Sequence, residues 1–173
     1  MSNVGQPVNH KYIFRVYINA SQKIIWDAVT KAEWTQQYGY GWRMEYDLRP
    51  GGGFWVFTGE ILKQSGAERG IKVPDLLCKG NVIEVDAPYR LGICWQMEIE
   101  NQTSENSTTD LIYEIAEVHG GFSRLSLTLE RRQAAKFPLI GSEAFASGLE
   151  GFNWRLILCD LKSLLETGKG FML

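Results

Sequence analysis

The sequence predicts an α+β domain: a curved antiparallel sheet of six to seven strands wrapped around a long C-terminal helix, with two short helices after the first strand. Three observations carry this reading. Apolar residues alternate at period two through most of the chain, they recur at a 3.6-residue period near the C-terminus, and no strand–helix alternation of the kind a parallel sheet needs lies between. A length of 173 residues is that of one domain with a single core.

Residues 10–18 read as a strand, with His10, Tyr12, Phe14, Val16 and Ile18 on one face. Ser21 is a capping residue for a helix over about 22–29 that carries Ile24, Ile25, Ala28 and Val29. Thr30, with Glu33 three residues on, forms a capping box for a second short helix over about 31–37, ended by Gly39 and Gly41. Alternation resumes from Trp42 to Asp47. Gly51-Gly52-Gly53 cannot stay in a regular element and turns a hairpin between strands at about 42–48 and 53–60.

The polar, aperiodic stretch 62–75 reads as a long exposed loop. Strands at about 77–85 and 90–100 flank the turn Asp86-Ala87-Pro88-Tyr89, and a second polar stretch, 101–108, makes the next connection. Leu111, Tyr113 and Ile115 alternate up to the turn His119-Gly120-Gly121, and Leu125, Leu127 and Leu129 alternate beyond it, which makes a hairpin.

From about 142 to 167 the pattern is helical. Phe145, Leu149, Phe152, Leu156 and Cys159 share the face expected to lie on the sheet, and Trp154, Ile157, Leu158, Leu161 and Leu165 share the opposite one. That second apolar face needs cover, from the rest of the chain or from a partner subunit. Gly168 stands where a C-terminal glycine stop belongs. Residues 1–9 are expected to be a flexible segment, 10–169 one domain and 170–173 a tail. A long helix crossing a strongly curved sheet leaves a concave space between them, the arrangement of the helix-grip fold.

Charge and cysteine usage narrow the function classes. Lys and Arg number 18 against 20 Asp and Glu, a net charge of −2, so no global field draws in nucleic acid or anionic lipid. Cys78, Cys94 and Cys159 are odd in number and without metal or redox spacing, which points to a reducing, cytoplasmic compartment and to buried apolar roles. No apolar run is long enough to span a membrane, and the first residues lack the pattern of a secretion signal. Aromatics are unevenly spread: of 21 in the chain, Trp34, Tyr38, Tyr40, Trp42, Tyr46, Phe54, Trp55 and Phe57 crowd into residues 34–57. Two readings stand, a ring-filled core and an aromatic-lined cavity for an apolar ligand.

Four stretches carry a family resemblance. Ile18 to Thr30, with Trp26-Asp27-Ala28-Val29-Thr30, is similar to an opening in which the first strand runs into a helix. Asp47-Leu48-Arg49-Pro50-Gly51-Gly52 with Phe54 forms a hairpin motif. Gly80-Asn81-Val82-Ile83-Glu84 with Pro88, Arg90, Leu91 and Trp95 forms a two-strand motif. Gly151-Phe152 with Leu161-Lys162 and Leu165-Glu166-Thr167-Gly168 resembles a closing helix, Phe152 standing where the family usually has Trp. Together they span about residues 10–169 in order. The chain resembles the SRPBCC (START and Bet v 1-like) superfamily, and within it the group similar to the C-terminal domain of the Hsp90 ATPase activator. The resemblance implies the helix-grip (Bet v 1-like) fold and a cavity; its motifs are structural and imply no cofactor.

No catalytic or metal signature appears in the sequence, and the two histidines, His10 and His119, sit in remote positions. Polar candidates for a cavity are Arg43, Glu45 and Asp47 on one strand face and Gln96 and Glu98 on another; the alternative is that both rows face solvent. The leading reading is a non-enzymatic domain that binds a hydrophobic small molecule between sheet and helix. Phe145, Leu149, Phe152 and Leu156 are the expected helix wall, and Trp42, Tyr46, Trp55, Trp95, Tyr113, Leu125 and Leu127 the expected sheet wall. Two alternatives remain: a cyclase- or hydratase-like enzyme using Glu45 or Glu98, as some superfamily members resembled here suggest, and a chaperone-activator-like protein-binding module. In the latter, or in a homodimer, Trp154, Leu158 and Leu161 would form the contact face.

Overall fold

The computed structural model describes residues 11–70, 72–97, 108–131 and 153–173. Strand β1 (Lys11–Ile18) leads into helices α1 (Gln22–Thr30) and α2 (Ala32–Thr35), followed by β2 (Arg43–Tyr46), β3 (Gly53–Phe57) and helix α3 (Glu60–Glu68). Strands β4 (Leu76–Asp86), β5 (Arg90–Met97), β6 (Thr109–Glu117) and β7 (Ser123–Arg131) precede helix α4 (Trp154–Thr167). The seven strands form one antiparallel sheet in the order β1-β7-β6-β5-β4-β3-β2, so every pair except β1–β7 joins strands consecutive in the chain, and β1 closes against β7.

Register explains the concave face. Phe14, Leu127, Tyr113, Leu91 and Val85 stand opposite one another across five strands, and Tyr12, Leu129, Leu111, Ile93 and Val82 form the next row. A third row runs Thr109, Trp95, Gly80, Phe54 and Tyr46. Gly80 is required in that row: a Cβ there would sit 2.1 Å from the Cys94 carbonyl oxygen and 2.7 Å from Trp95 Cα, both backbone atoms that cannot move aside. Its missing side chain lets β4 press onto β5 where two large aromatics flank it.

Helix α1 follows its capping signal, with Ser21 Oγ accepting from the Ile24 amide at 3.3 Å. It buries Ile25, Trp26, Ala28 and Val29 and leaves Ile24 exposed. Thr30 does not cap α2 as expected. It is the last residue of α1, and its hydroxyl donates to the Trp26 carbonyl oxygen at 2.7 Å, leaving Lys31 at the start of α2 without a side-chain cap.

The stretch read as an exposed loop from residue 62 is in part helical, since α3 covers Glu60–Glu68. Only Leu62 and Gly66 of this helix are buried, a single pair at four-residue spacing, and so thin an apolar stripe carries no readable period.

Helix α4 is shorter than expected and turned about its axis. It starts at Trp154, where Asn153 Oδ1 accepts from the Leu156 amide at 3.1 Å, and it ends at Gly168, whose φ of +80° suits the glycine stop. At 14 residues it is about 21 Å long. The expected residues 142–152 of the helix lie outside the described residues. Trp154, Ile157, Leu158, Leu161 and Leu164 are buried, whereas Leu156 is 44% exposed and Cys159 is exposed, so the face read as outer is the core face.

Asp160 accounts for the turn of the helix. Its carboxylate is fully buried and accepts from the amides of Gly39 at 2.7 Å, Met172 at 3.2 Å and Phe171. The helix is thereby tied to the turn after α2 and to residues 170–173, and Leu173 packs beside Gly41.

Replacing Gly80 by Ala is expected to lower stability by about 3 kcal/mol or more, because backbone must shift. Gly51→Ala, at φ +82° with nothing within 4 Å, should cost only about 1–2 kcal/mol from backbone strain. Chemical denaturation of the two variants checks the contrast.

Candidate functional site: an aromatic interior between sheet and α4

Two small voids adjoin between the concave sheet face and α4. The first, about 10 Å³, is walled by Trp42, Met44, Phe54, Leu77, Cys78, Trp95 and Trp154, with Val56 and Leu111 completing it. The second, also about 10 Å³, lies toward α1 and is walled by Tyr38, Trp42, Met44, Tyr113, Trp154 and Leu161 among others. Each has room for about one water. Trp42, Met44 and Trp154 belong to both and form the partition. The two indoles meet edge to face, with ring centroids 6.1 Å apart at 65°.

Polar groups in this interior are few. Tyr38 donates to the Ala28 carbonyl oxygen at 3.2 Å and Tyr46 to that of Val29 at 3.0 Å, so both phenols fasten β2 and the preceding turn to the last turn of α1. Burial pushes the phenols of Tyr38 and Tyr46 well above the usual tyrosine range, with the nearby Tyr113 adding to it, and burial raises Tyr113 likewise. Thr35 Oγ1 accepts from the Met44 amide at 3.1 Å. The Trp95 indole N–H is shut off from solvent and meets no acceptor among the described residues.

Of the expected sheet wall, Trp42, Trp95, Tyr113, Leu125 and Leu127 are buried on the concave face, and Tyr46 is half-buried there. Trp55 is not part of it. It is 39% exposed on the convex face and lies over Gly53, where a Cβ would come within 2.2 Å of the indole. Phe54 and Val56 point inward instead, since alternation puts neighbouring residues on opposite faces and both faces of β3 carry aromatics.

Leu156 is likewise no wall residue, being on the exposed side of α4. Arg43 and Glu45 are not cavity groups either: they pair with each other at 2.7 Å, both substantially exposed, and the Arg43 guanidinium lies 4.1 Å over the Phe57 ring. Phe145, Leu149, Phe152 and Glu98 lie outside the described residues. Trp154, Leu158 and Leu161 are buried in the monomer core, so the expected partner face is occupied by the sheet. Sequence reasoning missed Met44, Leu77, Cys78 and Leu111 as wall residues; Met44, Cys78 and Leu111 share the inward phase of Tyr46, Gly80 and Tyr113 and were open to the alternation argument, whereas Leu77, next to Cys78, lies where the β3–β4 register shifts, which alternation does not reveal.

An open groove of about 480 Å³ lies outside this interior, between Tyr40, Arg43, Phe57, the start of α3 and Leu173. Its Lys63 pairs with Asp75 at 2.7 Å, an exposed contact that raises the lysine and lowers the aspartate from their ordinary values. Among the described residues no group of three or more His, Cys, Asp or Glu is placed to hold a metal ion, and no helix is long and apolar enough to cross a membrane.

The sequence profile described as activator of Hsp90 ATPase homolog 1-like protein matches residues 19–166, most of the chain. The chain belongs to this family. Its sheet and C-terminal helix are those of the helix-grip, Bet v 1-like fold, as solved structures bear out. An Hsp90 activator from Plasmodium falciparum is similar at 17% identity and a TM-score of 0.61, covering 90% of this chain and 95% of its own. The Aha1 dimer from Colwellia psychrerythraea is similar at 16% and 0.59, covering 93% and 99%. CalU16 from Micromonospora echinospora is similar at 17% and 0.57, covering 91% and 77%. At such identities these likenesses speak to the fold alone. Comparison with curated protein sequences finds no match.

The three buried phenols make an alkaline test. Because folding raises their pKa, the stability they lend is fully present below the ordinary tyrosine value near 10 and is lost as pH rises beyond it. An ultraviolet titration should therefore show three of the seven tyrosines ionising only as the protein unfolds. Smooth ionisation of all seven in the folded state would contradict their burial.

Proposed function

We propose that this domain binds an apolar small molecule between the sheet and α4, in the space that Trp42, Met44 and Trp154 now partition. The observation that carries the reading is the pair of adjoining voids, walled mainly by apolar side chains, that share Trp42, Met44 and Trp154 as lining. Sulfur side chains suit such a place: Met44 is unbranched and can repack around a guest, and buried Cys78 adds a soft, small wall residue. A ligand that displaced the partition would merge the voids and recover the contacts that underpacked atoms forgo. The polar ends of the interior are already fastened by the Tyr38 and Tyr46 hydrogen bonds, which keep the frame rigid while the partition moves.

A non-enzymatic role fits the position of Glu45, which is turned to solvent and paired with Arg43 and so offers the interior no acid or base. A protein-binding role of the kind that the family's name and the Plasmodium falciparum relative suggest would have to use a surface other than Trp154, Leu158 and Leu161. The same holds for a homodimer.

Native mass spectrometry of gently purified protein, followed by solvent extraction, is expected to release about one lipophile per chain. Added apolar probes should shift the indole N–H resonances of Trp42 and Trp154 saturably. Absence of both effects would overturn the reading.

A further inference from the structure

The Trp95 indole adds a chemical requirement that the voids alone do not. Trp95 is nine-tenths buried, and its Nε1–H is sealed from solvent with no acceptor among the described residues. A buried donor left unpaired costs about 1–3 kcal/mol, so native chains rarely keep one without a use. The ring is held firmly: in register, Trp95 stands between Thr109 on β6 and Gly80 on β4, and Gly80 can bear no side chain.

Among the described residues, the wall around it supplies no side-chain oxygen to accept the hydrogen. Trp42, Met44, Phe54, Leu77, Cys78 and Trp154, with Val56 and Leu111, offer no side-chain oxygen, and sulfur is a weak acceptor. None carries a positive charge either, so a carboxylate brought here would lose its hydration without a counter-ion.

We infer that the ligand of this cavity is a neutral, largely apolar molecule bearing a carbonyl or ether oxygen, and that Trp95 Nε1–H donates to that oxygen. Trp95 is then the residue that selects among apolar guests: a hydrocarbon of the same shape leaves the donor unpaired, and an acid pays for its charge. This specificity rests on the cavity reading given above, and the two are separable by experiment.

The test uses the full chain and three probes of nearly equal shape: methyl naphthyl ketone, isopropylnaphthalene and naphthoate. Titration calorimetry should show the ketone binding about tenfold more tightly than the hydrocarbon and more tightly than the acid. In Trp95→Phe the ketone and the hydrocarbon should bind alike. In the wild-type protein the Trp95 Nε1–H proton resonance should move downfield with the ketone and not with the hydrocarbon, a readout that stands even where the variant fails to fold.

Equal binding of ketone and hydrocarbon to the wild-type protein would overturn the inference while leaving the cavity reading intact, as when a trapped water satisfies the indole. A preference that persists in Trp95→Phe, or tighter binding of naphthoate, would overturn it as well. If none of the probes binds, the inference falls, and where no lipophile co-purifies either, the cavity reading falls with it.

Discussion

The fully buried carboxylate of Asp160 accepts amide hydrogens from Gly39, Phe171 and Met172, and the setting of α4 on the sheet depends on it. Burying a charge is costly, and in a low-dielectric interior only several charge-assisted hydrogen bonds offset the loss of water. Three donors from two separate segments provide them. The helix can meet both segments at once only in one rotational position, the one that turns Trp154, Ile157, Leu158 and Leu161 toward the sheet and Leu156 and Cys159 outward. Trp154 thereby reaches Trp42, and the partition of the interior follows from a hydrogen-bonding requirement six residues away along the helix.

The same dependence reaches the far side of the molecule. Gly39 follows Tyr38, whose hydroxyl holds the carbonyl of Ala28, and Tyr46 holds Val29 next to it. Helix α1, the turn after α2, strand β2, helix α4 and residues 170–173 are thus joined through polar contacts at the rim. The concave face between them is almost wholly apolar. Rigidity is concentrated in the frame and adaptability in the Met44 and indole partition, a division of labour that suits a small-molecule pocket better than a fixed catalytic constellation.

Much of this was legible from period alone. The inward phase of β7 follows directly from Leu125, Leu127 and Leu129 alternating with polar residues, and those of β1 and β6 from Phe14 and Tyr113, although Ile13, Tyr17 and Ile112 put apolar residues on the outer face as well. In β3 alternation does not distinguish the faces: Phe54, Trp55 and Phe57 place aromatics on both, and the bulkier indole is the exposed one, laid over a glycine. Helix α4 was misread for a related reason. It has apolar residues on both faces, and the residue that decides between them is an aspartate, which a hydropathy pattern assigns to solvent. The partners that make its burial favourable, Gly39, Phe171 and Met172, are 121 residues before it and 11 and 12 residues after it, and no local pattern reveals them. Helix α3 escaped because one buried leucine and one buried glycine make no stripe. The orphaned indole of Trp95 is of the same kind: sequence shows a tryptophan, and only the arrangement of its neighbours shows that nothing accepts its hydrogen.

Everything above depends on Asp160 setting the rotation of α4, and residue-resolved hydrogen exchange tests that most directly. In the wild-type protein the amides of Gly39, Phe171 and Met172 should be protected, and in Asp160→Asn, where a side-chain amide faces backbone donors on one side, Gly39 or the Phe171 and Met172 pair should exchange at least about tenfold faster. Retained protection at all three amides in the variant would show that something other than this carboxylate holds the helix in place.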